Sequence, residues 1–191
     1  MEFQDVVRKR RMVRRFRADR PVPRESLDRI LRNATRGPSA GFSQGQAFLV
    51  LEGEDLAKFW ALRPMNNGVS TAPLVIVPFA CKNVYLDRYA EPDKGWTDRD
   101  ESRWPVPFWH IDTGMAALLI LQTVVDEGLG ALYFGIAPDN VAPFRALYGV
   151  PDDHEPIGAI AIGYSDEPEQ SGSPRKRGRR DVNDVVHYGH W

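Results

Sequence analysis

The chain has 191 residues, 42% of them hydrophobic and 27% charged, which is the composition of a folded globular domain and excludes a disordered chain. A single cysteine excludes a disulfide framework and a cysteine-rich zinc site. The 25 basic and 26 acidic side chains give a formal net charge of -1, and that total argues against a nucleic-acid partner.

The near-zero total nevertheless hides two basic ends. Nine basic residues lie in the first 24 positions: Arg8, Lys9, Arg10, Arg11, Arg14, Arg15, Arg17, Arg20 and Arg24. Five more lie close to the C-terminus: Arg175, Lys176, Arg177, Arg179 and Arg180. Arginine presents a rigid fork of donors and stays charged, so such clusters suit a phosphate group. The alternatives are solvated charge, or a basic surface for RNA or DNA.

Hydrophobic spacing predicts a mixture of helices and strands. In chain order these are a helix over 2–11, a second helix that Pro23 opens and Gly37 stops, a strand over 47–52, a helix over 55–62, a strand over 73–80, a helix over 109–127, a strand over 131–136, a helix over 138–148 and a strand over 157–164. Because helices and strands do not alternate strictly, the predicted fold class is α+β, with helices on a mostly antiparallel or mixed sheet. The 109–127 helix is apolar on nearly every side and is expected to be central.

Residues 83–107 differ in kind from the rest of the chain, since they mix aromatic and charged side chains without a clean period. An irregular segment of that length in a compact domain is usually functional. Its rings could stack on a flat substrate or pack at a subunit interface, and both interpretations stay open.

The first residues of the chain and its apolar runs indicate where in the cell the protein is located. Residues 1–5 carry acidic groups and no apolar stretch follows a basic start, so no secretory signal is predicted. The longest apolar run, Met115–Leu121, is far short of the roughly 20 residues that a membrane span needs. We therefore expect a cytoplasmic protein without a membrane partner.

Four short segments could bind a ligand, although each is weak evidence by itself. They are Arg10–Phe16, Pro38–Gln46, Gly128–Gly135 and Arg175–Arg180. If the first and last bind one phosphate, the two ends of the chain must meet. The sequence has no motif typical of a P-loop NTPase, a Rossmann dehydrogenase or an α/β-hydrolase, and its four histidines lack metal-binding spacing, so no metal is expected.

The order and spacing of these segments resemble the nitroreductase family of FMN-dependent oxidoreductases over essentially the whole chain. RRMVRRF is similar to the family's R-R-S-x-R-x-F, and PSAGFSQGQAF is similar to P-S-x-x-N-S-Q-P-W-x-F. GLGALYFGI is similar to G-L-G-S-x-W-x-G, and RRDVNDVVHYGHW to R-R-P-L-E-E-V-V-H-W with a final aromatic residue. The resemblance implies a nitroreductase-like fold in one FMN-binding domain over 1–191, with a substrate-side excursion at 83–107 and an extended C-terminal arm at 168–191.

The resemblance also implies where the cofactor binds. The matching positions are Arg10, Arg11, Met12 and Arg14 near the phosphate and ribityl chain, Pro38, Ser39, Ala40, Gly41, Ser43 and Gln44 in a loop that the other subunit usually supplies, Tyr133, Phe134 and Gly135 beside the isoalloxazine ring, and Arg177, Arg179 and Arg180 at the C-terminal phosphate contact. We expect substrate contacts from Tyr85, Trp96, Trp104 and Phe108. Because a flavin carries the redox chemistry itself, no catalytic acid, base or nucleophile is expected.

Four positions depart from the family pattern. Met12 stands where the family usually has serine, so one hydroxyl contact to FMN is missing. Phe42 replaces the usual asparagine, and Gly45 with Gln46 replaces Pro-Trp. These changes affect the expected contacts of the loop with the flavin and leave the basic phosphate site intact.

The activity that the resemblance implies is FMN-dependent reduction of nitroaromatic, quinone or similar flat acceptors by a ping-pong hydride mechanism, in a homodimer with shared flavin sites. The electron donor, whether NADH, NADPH or a deazaflavin, stays open. One alternative is a flavoenzyme of other chemistry on the same fold, of the flavin-fragmenting or reductive dehalogenase type. A further alternative is a basic module that binds nucleic acid.

Overall fold

The computed structural model of the chain describes residues 1–62, 64–65, 68–167 and 178–191. Its helices are α1 (Phe3–Lys9), α2 (Arg24–Ala34), α3 (Gly53–Leu62), α4 (Lys82–Ala90), α5 (Phe108–Asp126) and α6 (Pro138–Tyr148). Its strands are β1 (Gln46–Leu51), β2 (Leu74–Cys81), β3 (Gly130–Phe134), β4 (His154–Pro156) and β5 (Ala159–Gly163).

The five strands form one sheet in the order β1-β2-β5-β3, with β4 paired to β2 beyond the end of β5. Every ladder between these strands is antiparallel. All eight residues of β2 are buried, as its continuous apolar run requires. Pro78 has no N–H to donate, and it lies where the pairing of β2 passes from β5 at Leu74–Ile76 to β4 at Phe79–Cys81. The predicted α+β class with a mostly antiparallel sheet is thus confirmed.

Helix α5 crosses one face of the sheet, where it packs against β2, β3 and α2. A core cluster on that face includes Ile30 of α2, Ile120 of α5 and Ile160 of β5, all fully buried. A second cluster, with Phe59 of α3 and Phe144 of α6, fills the other face. The sheet is therefore covered on both faces, and α5 is the central helix that its composition predicts.

Helix α5 is also the one helix, among the described residues, that is long and apolar enough to cross a membrane. Half of that stretch is buried inside the molecule, which is the behaviour of a core helix. Its burial is less complete than the sequence predicts, because Ile111, Met115 and Leu118 are 38–46% exposed.

The segment 11–16 lies along the outer edge of β3. The Val13 N–H donates to the carbonyl of Ala131 at 2.8 Å, and an isolated parallel bridge joins Met12 to Ala131. A second bridge joins Phe16 to Ser165. The segment covers a strand edge that would otherwise expose unpaired backbone groups.

Two elements differ from the sequence prediction. β4 was not expected, because three residues of which two are polar give no period-2 signal. The first third of the expected irregular excursion 83–107 is the regular helix α4, whose two buried residues, Tyr85 and Leu86, are adjacent and give no i, i+4 stripe.

Candidate functional site

The basic segment Arg10–Phe16 is held in place by the chain just after β5. The Arg11 guanidinium pairs with the Glu167 carboxylate at 3.0 Å, and the same carboxylate accepts the Arg14 N–H at 2.6 Å. Arg15 donates to the carbonyl of Asp166 at 2.7 Å. Glu167 thus neutralises Arg11 and fixes the backbone at Arg14.

Arg10 and Arg14 are the arginines of this segment that stay available to an anion. Their side chains meet no carboxylate within the described part of the chain, and the Arg14 Nη1 reaches only the Met12 carbonyl, at 3.4 Å. Both residues are half-buried. Two partly desolvated guanidiniums on one short segment form a site of the kind that binds a phosphate.

The end of β3 lies directly beside this segment. The Tyr133 N–H points at the Met12 sulfur, 3.4 Å away. The side chains of Tyr133 and Phe134 are both engaged within the protein. The Tyr133 hydroxyl donates to the Ile157 carbonyl at 2.6 Å, and the Phe134 ring stacks on the Trp60 ring at a centroid distance of 6.1 Å. What this strand end offers a ligand is therefore its backbone rather than its side chains.

Gly135, the residue after β3, leaves this stretch of backbone open to a ligand. It is exposed, and a Cβ built at this position would meet no atom within 4 Å. A flat ring could approach the backbone here without a steric barrier. Burial raises the pKa of the Tyr133 hydroxyl, so this phenol stays protonated at neutral pH.

The loop Pro38–Gln44 is fixed from behind by α5 and α4. The Asp112 carboxylate of α5 accepts the Ala40 N–H at 2.8 Å and the Tyr85 hydroxyl at 2.9 Å. The Arg88 guanidinium donates to the Gly41 carbonyl at 3.0 Å. Two neutral donors thus converge on one buried carboxylate, which orders the loop.

Within the loop, internal hydrogen bonds hold an uncommon backbone. The Ser39 hydroxyl accepts the Gln44 N–H at 3.0 Å, and the Ser43 hydroxyl donates to the Ala40 carbonyl at 2.6 Å. Phe42 and Gln44 both have φ of 56°, a left-handed conformation that is rare for a bulky side chain. Phe42 is 76% exposed. The loop therefore has a strained backbone at Phe42 and exposes the ring of that residue.

The predicted substrate-binding rings form one aromatic cluster around Trp104. Trp104 contacts Tyr85, Trp96 and Phe108 at ring-centroid distances of 5.6–6.1 Å. Tyr85 is fully buried, so it supports the loop through Asp112 and offers no surface to a substrate. Trp96, Trp104 and Phe108 are half-buried, and their assignment to substrate stays a prediction.

Two of the three predicted C-terminal phosphate contacts, Arg179 and Arg180, lie among the described residues. Arg177 lies outside the described residues. Arg179 and Arg180 are exposed, and Arg180 donates to the Asp184 carbonyl within the tail at 2.8 Å. Residues 165–167 contact the basic segment, and the sequence did not indicate this contact.

The structure thus divides the predicted site into two halves. Arg10–Arg14 and Tyr133–Gly135 lie side by side, whereas the loop Pro38–Gln44 packs on α4 and α5. The loop is held by the Asp112 carboxylate of α5 and the Arg88 guanidinium of α4.

Sequence reasoning missed three residues that organise the site: Asp112, Arg88 and Glu167. Asp112 gives a usable signal, since it is an acid inside an otherwise apolar helix. Arg88 and Glu167 lie among many other charged residues, and nothing in the pattern distinguishes them.

Comparison with known proteins shows the family to which the chain belongs. The family model described as the nitroreductase family matches residues 7–64 and 62–164. A protein of Methanothermobacter thermautotrophicus, provisionally named NADH dehydrogenase/NAD(P)H nitroreductase, is 30% identical over all of this chain and 88% of its own length.

Solved structures show the same fold. A nitroreductase family protein from Clostridium difficile is 25% identical, with a TM-score of 0.76 and full coverage of both chains. A provisionally assigned nitroreductase from Exiguobacterium sibiricum, solved in complex with FMN, is 20% identical, with a TM-score of 0.78 over 98% of this chain and 97% of that one. This chain belongs to the nitroreductase family and is an oxidoreductase of that family.

Proposed function

We propose that this protein is an FMN-dependent NAD(P)H oxidoreductase that reduces nitroaromatic, quinone or similar flat acceptors. The observation that carries the proposal is the placement of Arg10 and Arg14, without carboxylate partners among the described residues, beside the open backbone at Gly135. FMN would supply a phosphate for the arginines and a flat ring for the backbone at Gly135.

The residues present fit FMN. Arg10 and Arg14 would hold the phosphate, while Glu167 keeps Arg11 neutralised and fixes the segment. The backbone after Tyr133 would face the ring, because the Tyr133 and Phe134 side chains are engaged elsewhere. Met12 lies between Arg10 and Arg14 in the sequence, and its sulfur lies 3.4 Å from the Tyr133 nitrogen, so it would supply an apolar contact in place of a hydroxyl.

When bound, FMN would supply hydride acceptance from the nicotinamide donor and hydride delivery to the acceptor, in a ping-pong order. The chain's own task is then to bind, orient and exclude water. Trp96 and Trp104 are the half-buried rings that could border a flat acceptor. NADH, NADPH and a deazaflavin are distinguished by measuring flavin reduction with each donor under anaerobic conditions.

We also propose that the active form is a homodimer in which the loop Pro38–Gln44 of one subunit completes the site of the other. Two observations support this assembly. The loop is held on α4 and α5, whereas the basic segment is held by β3 and residues 165–167, and the loop exposes Phe42. Ile111, Met115 and Leu118 form an exposed apolar stripe at i, i+4 and i+7 on α5, the helix that anchors the loop.

The C-terminal arm offers further apolar surface. Val182, Tyr188 and Trp191 are 63%, 87% and 98% exposed. Side chains of this size rarely stay in water, so docking of the arm on the second subunit fits the same assembly. This docking would also bring Arg179 or Arg180 toward a phosphate across the interface.

The test compares FMN with riboflavin, which differs only by the phosphate. We expect purified protein to be yellow, and Arg14→Ala to weaken FMN binding roughly 10- to 100-fold because a charge-assisted contact is lost. Riboflavin affinity should stay unchanged in Arg14→Ala. The matched control is Arg8→Ala, whose guanidinium pairs with Asp5 on the surface of α1. A colourless protein that cannot be reconstituted with FMN contradicts the proposal.

A further inference from the structure

A cluster of three ligand-type side chains lies where β2 ends, at the edge that pairs with β4. Cys81 and His154 are directly opposite each other in the antiparallel pair, and Asp153 precedes His154. The Asp153 carboxylate joins the other two, since Oδ2 lies 3.5 Å from the Cys81 Sγ and Oδ1 lies 2.8 Å from the His154 Nδ1. One ligand atom from each residue falls within 4.8 Å of the others.

Backbone pairing fixes this arrangement. Opposite residues of an antiparallel pair project to the same face, with Cβ atoms about 4.5–5.5 Å apart. That spacing lets a thiolate and an imidazole reach one ion, because Zn–S and Zn–N bonds are about 2.3 Å and 2.0 Å long. Tetrahedral sulfur and nitrogen ligands at these bond lengths lie about 3.5 Å apart. The three atoms, now within 4.8 Å of one another, therefore need to close by at most about 1.3 Å, a movement on the scale of a side-chain rotation.

We propose that Cys81, Asp153 and His154 form a binding site for a zinc ion. The soft thiolate and the imidazole select zinc over magnesium or calcium, which prefer oxygen ligands alone. Binding replaces the contacts of Asp153 with its two neighbours by three bonds to the metal. The thiol proton leaves to solvent, so the charge balance is that of a thiolate and a carboxylate against a divalent cation.

The burial of the three groups suits a site that metal enters from solvent. Cys81 is buried with its strand, whereas the Asp153 and His154 side chains are 41% and 29% exposed. The ion would rest on the thiolate from outside and keep one position for water, the pattern of a three-ligand zinc site. No residue of the proposed flavin site belongs to this cluster, so the inference stands independently of the proposed activity.

The experiment measures zinc binding to the purified full-length protein, with its cofactor as isolated. Protein stripped with a chelator is dialysed against buffered Zn²⁺, and bound metal is counted by elemental analysis, which a flavin does not disturb. We expect one zinc per chain, and a loss of affinity of at least about tenfold in Cys81→Ser and in His154→Ala. His187→Ala, in the exposed tail, is the matched control and should bind like the parent protein.

X-ray absorption at the zinc edge provides a second readout that needs no variant. The expected spectrum shows one sulfur ligand at about 2.3 Å with nitrogen and oxygen ligands at about 2.0 Å. Absence of stoichiometric zinc, a spectrum with nitrogen and oxygen ligands only, or parental affinity in both Cys81→Ser and His154→Ala would overturn the proposal.

Discussion

At the scale of single residues, Asp112 has the largest structural role, because it joins the loop to helix α4. It is 5% exposed and accepts hydrogen bonds from two separate segments, the loop at Ala40 and helix α4 at Tyr85. Removing its carboxylate would leave the buried Tyr85 hydroxyl and the partly buried Ala40 N–H without this partner, and unpaired donors are costly in a protein interior.

We therefore expect Asp112→Ala to lower the free energy of unfolding by about 2–4 kcal/mol, as measured by urea denaturation. The control is Asp19→Ala, an exposed carboxylate beside Arg17, which should change stability by less than about 0.5 kcal/mol. Equal stability of the two variants would show that Asp112 does not hold the loop.

The buried hydroxyl of Tyr85 should make the stability of the folded protein depend on pH in the alkaline range. Burial, followed by its contact with the Asp112 carboxylate, raises the pKa of Tyr85 above the ordinary value of 10.0. The folded state therefore binds the phenolic proton more tightly than the unfolded state. This contribution to stability is fully present below pH 10 and is lost as the pH rises through the pKa of the folded state.

The measurement is the urea midpoint as a function of pH. The parent protein should lose stability as the pH passes about 10, and Tyr85→Phe should lose less over the same range. Tyr133, Tyr148 and Cys81, whose pKa values are also raised by burial, are unchanged in that variant and contribute to the decline that remains. Parallel curves for the two proteins would contradict this assignment.

At the scale of elements, the approach of β1 to α4 depends on Gly45. A Cβ at this position would lie 2.5 Å from the Tyr85 ring and 2.8 Å from the Cys81 carbonyl oxygen. No side chain fits that gap without moving backbone. Gly45 replaces the family's proline, and the departure follows from the close packing of Tyr85.

We expect Gly45→Ala to lower the melting temperature, with a cost of about 1–3 kcal/mol from overpacking. Gly114→Ala is the control: a Cβ there meets nothing within 4 Å, and alanine favours the interior of α5 by about 0.5–1 kcal/mol. The two substitutions add the same methyl group and should shift the melting temperature in opposite directions. A shift of the same sign in both would contradict the packing argument.

The elements that could be predicted from sequence are those whose pattern comes from burial. β2 is a continuous apolar run, and α6 has a proline at its first position and Gly149 after its last, so its bounds 138–148 match the prediction. β4 could not be predicted, because its three residues are specified by pairing with β2 rather than by their own pattern.

The same contrast holds in the candidate site. The basic segment and the end of β3 were expected to share a ligand, and they lie side by side. The partners that fix them, Glu167 and Asp112, are brought close by tertiary folding across 153 and 72 residues of sequence. Such distant pairs leave no local signal in a single sequence.

At the scale of the whole molecule, the exposed stripe on α5 predicts the oligomeric state. Met115 and Leu118 are 40% and 46% exposed on a helix whose other side is core. Placing charge on this stripe should oppose burial against a second copy, because an unpaired charge is costly to desolvate.

We expect Met115→Glu with Leu118→Glu to convert a dimer into a monomer, measured by light scattering after size-exclusion chromatography. The control is Leu147→Glu, an apolar residue of α6 with similar exposure, 43%, which should leave the dimer intact. A double variant that remains dimeric would place the interface elsewhere.

The segment 11–16 has a consequence for the order in which the molecule folds. Its partners, Ala131 and Ser165, are more than 100 residues away along the chain, so closing these contacts carries a large loop entropy and is slow. The segment is synthesised long before β3, so it can form these contacts only after β3 has been made. We therefore expect the arginines proposed to hold the phosphate to reach position late in folding, onto a sheet whose β3 edge is still bare.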